Sequence, residues 1–103
     1  MDGAENMLLG YSVSSEDLFP SIRLAGRCKG DKPNLLEKEV LMINGSGSQT
    51  PSSADPVSRW GDYSSMIMDP DDHTFWFTNE YLSKSGDNAW QTEVAAVRFN
   101  NCK

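Results

Sequence analysis

The sequence predicts an all-β chain of antiparallel sheets, arranged as two units that each look like a propeller blade. Three observations carry this. Short runs of alternating apolar and polar residues are separated by Gly, Pro, Asn, Asp and Ser, the pattern of strands and turns. No stretch sustains helical spacing; the best, residues 34–42 (NLLEKEVLM), is short and its second half alternates like a strand. The halves also share a rhythm, "NMLLGYSVSS" before "SIRLAGR" and "TFWFTNEYLSKSG" before "TEVAAVRF". That rhythm matches a repeat of about 40–50 residues, the length of a propeller blade.

Six strands follow in order. The first covers 6–13, with Met7, Leu9, Tyr11 and Val13 on one face, because side chains alternate along a strand. The second covers 21–27, with Ile22 and Leu24 opposite in parity to Arg23 and Arg27. The third covers 38–43. Residues 45–58, GSGSQTPSSADPVS, are a loop rich in Gly, Ser and Pro. The fourth strand covers 63–68. The fifth covers 74–82, with Phe75, Phe77 and Tyr81 on one face and Trp76, Thr78 and Glu80 on the other. The sixth covers 91–99. One domain results, a unit at 1–44 and a unit at 59–103 joined by the loop; 103 residues suit one domain and not two.

Composition narrows the function. A net charge of −6 with nine scattered Lys and Arg residues argues against nucleic acid, whose backbone demands clustered cations, and against an anionic membrane surface. No apolar run approaches the roughly 20 residues that span a bilayer. The opening MDGAENMLLG has acids and no long apolar core, unlike a secretory signal. The chain is then cytoplasmic if complete, or part of a longer secreted protein if it is a fragment. Cys28 and Cys102 sit in no metal-ligand spacing. We expect two free thiols, unbonded to each other, because they belong to different units.

The stretch 59–81, RWGDYSSMIMDPDDHTFWFTNEY, together with "GYSVSS", "PSIRLAGR" and "GSGSQT", resembles uncharacterised secreted bacterial proteins of the sialidase-like β-propeller type. The resemblance spans residues 6–102. It implies that the first half supplies outer strands of one blade and the second half inner strands of the next. It also implies a cysteine where this chain has His73, paired with the terminal cysteine. Cys102 would thus have lost its partner, along with about 2–4 kcal/mol of bridge stabilisation, as in a move to a reducing compartment.

Candidate chemistry concentrates at "RWGDY". Arg59, Trp60, Asp62 and Tyr63 would lie where the long loop enters a strand, at the mouth of a propeller channel. Trp stacks on a sugar face while Arg and Asp bond its hydroxyls or carboxylate; Arg23 and Glu80 complete the candidate ligand-binding set. The competing reading has Trp60 plugging a blade interface and an Arg59–Asp62 pair fixing the loop. Trp60 is expected to be exposed, and Trp76 and Trp90 structural. "DPDDH" at 69–73 departs from a calcium loop, with His73 and Thr74 at its fifth and sixth positions. It reads better as a turn whose Asp side chains hold its backbone. "NGS" at 44–46 reads as a hairpin turn.

The expected function is a non-catalytic binding or interaction module, with a carbohydrate as its most specific ligand. No metal or cofactor is implied. The alternatives are a sialidase-like glycan hydrolase, whose site is assembled between subunits with Tyr63 as nucleophile, and a structural fragment with no ligand. Two blades leave two blade faces bare, so the chain is expected to be a homo-oligomer, a ring of three copies before a dimer.

Overall fold

A computed structural model describes residues 1–50, 52 and 59–102; most of the Pro- and Ser-rich stretch of the 45–58 loop lies outside them. Its strands are β1 (Met7–Ser15), β2 (Leu18–Arg27), β3 (Val40–Ile43), β4 (Ser65–Met68), β5 (Phe75–Leu82) and β6 (Trp90–Val97). They form two three-stranded antiparallel sheets, ordered β1-β2-β3 and β4-β5-β6. No described residue is helical, and β3 takes the second half of the ambiguous 34–42 segment.

Strand parity decides which side chains meet between the sheets. Phe75 and Phe77 of β5 are buried, and so are Ile22 and Leu24 of β2. Leu8, Met42, Ile43, Met66, Tyr81 and Val97 pack against the cluster that Phe77 forms with Ile22 and Leu24. Burying a side chain such as Phe77 stabilises by about 1.5–3 kcal/mol. Gly10 permits this approach, since a Cβ there would overlap the Phe77 ring. The β1 residues that share the other face, Met7 and Leu9, are exposed. Their alternation is real, but the inward set is Leu8, Gly10 and Ser12. Ser12 also receives a hydrogen bond from the Asn79 amide across the gap, 2.9 Å.

Cys28 and Cys102 are bonded to each other, with Cα atoms 5.5 Å apart and a sequence separation of 74. This corrects the expectation of two free thiols. Assigning each cysteine to a different unit is sound, but the units lie face to face. The end of β2 thereby meets the chain beyond β6: Phe99 packs so closely on Gly26 that no Cβ would fit there. His73 and Cys102 line one cavity of about 500 Å³ with Asp2, Lys29 and Arg98. His73 is therefore near Cys102 without taking the place of its partner. Closing a loop of this length restrains the unfolded chain by about 4.5 kcal/mol in the chain-entropy model.

"NGS" is no hairpin. Gly45 threads past the Pro20 carbonyl, where a Cβ would clash. The Gly45 N–H donates to Ser21 Oγ at 2.8 Å, and the Ser46 N–H to the Leu82 carbonyl at 2.8 Å. The chain after β3 is thus stitched to the end of β5. A parallel bridge between Gln49 and Gly86 continues the seam.

Thiol titration of the denatured, unreduced protein should find no free thiol. Reduction should lower the stability by a few kcal/mol; two titratable thiols before reduction would contradict the bond.

Candidate functional site

The segment 59–63 lies over the end of β5 that is remote from the β4–β5 turn. Its position is set by Glu80, 1 % exposed. One Glu80 carboxylate oxygen accepts the Gly61 N–H at 2.8 Å and the other accepts the Tyr63 N–H at 2.7 Å. Charge-assisted bonds of this kind are roughly twice as strong as neutral ones. Gly61 has φ 81°, a left-handed conformation that glycine adopts without the steric cost of a side chain. The Arg59 N–H donates to Asn88 Oδ1 at 3.0 Å, and the Arg59 guanidinium pairs with Asp62 at 3.1 Å.

This fixed loop presents two different surfaces. Tyr63 is 70 % exposed, and its ring lies 6.0 Å from that of Trp90 at an interplanar angle of 48°. The Arg59–Asp62 pair belongs to the same loop and directly precedes Tyr63, the first ring of this aromatic platform. On the other side, Trp60 is half-buried and walls a cavity of about 300 Å³ with the β1–β2 turn, Ser48 and Gln49. Both polar atoms of the Gln49 carboxamide are buried without a hydrogen-bond partner among the described residues.

The expected exposure of the tryptophans is reversed, which removes Trp60 as the exposed stacking face expected for a sugar. Trp76 and Trp90 are 41 % and 38 % exposed, whereas Trp60 is more shielded than either. Trp76 follows the outward parity of β5. Trp90 opens β6 opposite Leu82 on that same outward side. Its place beside Tyr63 depends on this register, and no local motif announces it.

Of the candidate residues, Arg59, Trp60, Asp62 and Tyr63 belong to one loop, and Glu80 holds that loop from below. Arg23 is elsewhere. It lies on the outer face of the first sheet, opposite Tyr11 and Leu41, and pairs with Glu39 at 3.2 Å. Tyr11 donates its hydroxyl to the same Glu39, and this bond raises the Tyr11 pKa.

"DPDDH" is a turn. Asp71 Oδ1 accepts the N–H groups of His73 and Thr74, each at 2.8 Å, and Oδ2 accepts the Thr74 hydroxyl at 2.7 Å. Arg98 pairs with the same carboxylate at 3.1 Å. Asp69 accepts the Asp71 N–H at 3.0 Å and the Trp76 indole N–H at 2.9 Å. Elsewhere, Cys28, Asp31 and Glu37 converge. The Cys28 sulfur is held in the disulfide, and a hydrogen bond with Asp31 raises the Glu37 pKa. The Cys28 N–H donates to Asp31 Oδ2 at 2.8 Å, so the Asp31 carboxylate also holds the chain as it leaves β2.

Comparison with family models, curated proteins and solved structures finds no match.

The hydrogen bonds from His73, then that from the Thr74 hydroxyl, hold the Asp71 pKa down to about 2 from its ordinary 3.8. A depressed carboxylate pKa contributes stability above the unfolded value that is lost as pH falls through the folded one. Asp71 should therefore help the fold fully above about pH 4 and lose that contribution towards pH 2. Carboxyl-detected NMR titration reads this directly; a midpoint near the ordinary value would contradict the turn geometry.

Proposed function

We propose that the chain is a non-catalytic binding module that takes a carbohydrate on the Tyr63–Trp90 platform, with Arg59 and Asp62 bonding ligand hydroxyls or a carboxylate. The observation that carries this is the loop held from beneath. Glu80 anchors Gly61 and Tyr63 through both carboxylate oxygens, so an exposed tyrosine and an exposed tryptophan stand in a preset arrangement. Preorganisation of this kind reduces the ordering cost of binding. Two aromatic rings beside a charged pair suit a sugar, which has apolar C–H faces and a hydroxyl rim.

The same bonds favour binding over hydrolysis. A tyrosine nucleophile requires a carboxylate to take its proton. Both oxygens of Glu80 already accept backbone N–H groups, and Asp62 is engaged with Arg59. The disulfide suits an oxidising environment, which favours the secreted member of the two locations drawn from the sequence.

A glycan array should show retention of at least one glycan class. Tyr63→Ala and Trp90→Ala should each weaken it about tenfold, the equivalent of about 1.4 kcal/mol. No retention anywhere on the array, or variants that bind as well as the parent, would overturn the reading. Cleavage of an aryl-glycoside that Tyr63→Phe abolishes would support the hydrolase instead.

A further inference from the structure

The chain is flat and has more surface than its mass calls for. Its extents are 52 × 28 × 18 Å and its radius of gyration is 15.7 Å; a compact domain of this length has about 12.8 Å. Its accessible surface is 6775 Å², whereas a folded monomer of 11.4 kDa exposes about 5,800 Å². The difference, roughly 1,000 Å², is comparable to the ~800 Å² that one partner contributes to a standard interface.

The outer faces of both sheets carry apolar side chains. On the first sheet these are Met7, Leu9 at 49 % exposure and Leu41 at 46 %. On the second they are Ile67 at 61 %, Trp76 at 41 % and Val94 at 57 %. The last three line a shallow groove of about 320 Å³ with Ser65 and Thr78. The faces point to opposite sides of the slab, because Leu8 and Phe77, of the other parity, pack between the sheets.

We infer that these two faces bind each other on successive copies of the chain, the outer face of the second sheet against the outer face of the first. The pair repeats the chemistry of the packing inside the chain. There, aliphatic residues of β1–β3 cover a surface of β4–β6 centred on a β5 aromatic, Phe77; outside, the corresponding aromatic is Trp76. Charge agrees at Arg27, which shares the outward parity of β2 and whose guanidinium donates to the neutral backbone carbonyls of Asp31 and Lys32, while Asp69 sits at the Trp76 edge. A foreign partner on one face would leave the other bare, whereas stacked copies cover both. The contact is heterologous and so forms a ring if its rotation closes. It is independent of the glycan reading. Trp90 lies opposite Leu82, six residues along β5 from Trp76, or about 20 Å at strand spacing.

Light scattering after size exclusion at tens of micromolar tests this with Leu9→Glu on one face and Val94→Glu on the other. The parent should run at a multiple of 11.4 kDa. Each variant alone should run as a monomer, and an equal mixture should recover a species of twice the chain mass, because each variant keeps the face the other lacks. A monomeric parent, a variant that associates as the parent does, or a mixture that stays monomeric would overturn the inference. Leu41→Lys and Ile67→Lys form a second pair if circular dichroism shows either glutamate variant unfolded.

Discussion

The structure depends on one close approach, the Phe77 ring seated over Gly10. A three-stranded sheet alone buries too little to be stable, and sheets gain a core by packing about 10 Å apart. Here β5 crosses β1 and β2, and the missing side chain at Gly10 lets the aromatic reach Ile22 and Leu24. The sheets are thereby drawn face to face. That placement brings the end of β2 to Phe99 and Cys102, so the disulfide follows from the packing and then locks it. It also leaves Ser12 within reach of Asn79, which satisfies a polar group that burial would otherwise penalise.

Much of the architecture is legible in the sequence, because strand alternation is local. The runs at β1, β2 and β5 show their parity directly, and the aromatics of β5 separate into buried Phe75 and Phe77 and exposed Trp76 as the alternation requires. Which face points inward is not local. Met7 and Leu9 look like a core stripe as readily as Leu8 does, and only the position of Phe77 decides between them. The cysteine pairing was hidden for the same reason. Two residues 74 apart meet only because one sheet lies on the other, and a resemblance that offered His73 as the vacated partner pointed to a neighbour of Cys102 instead of its bond.

The candidate site divides in the same way. The Arg59–Asp62 pair is readable from its spacing, and the Asp side chains of 69–73 declare a turn. The function of Glu80 as the anchor of Gly61 and Tyr63 crosses from strand to loop and cannot be seen in either segment alone. Trp90 reaches Tyr63 only through the register of β5 with β6. The sequence thus marks where the chemistry lies but omits the second ring and the support beneath it. Preorganisation depends on both.

The central claim is that the two sheets are one cooperative unit joined by Phe77 over Gly10. Thermal unfolding and native-state hydrogen exchange of Gly10→Ala, with the disulfide intact, test it most directly. Overpacking at this site should cost about 1–3 kcal/mol, and the amides of Leu24 and Phe77, one in each sheet, should lose protection together. Unchanged stability, or loss of protection in the first sheet alone, would contradict a shared core.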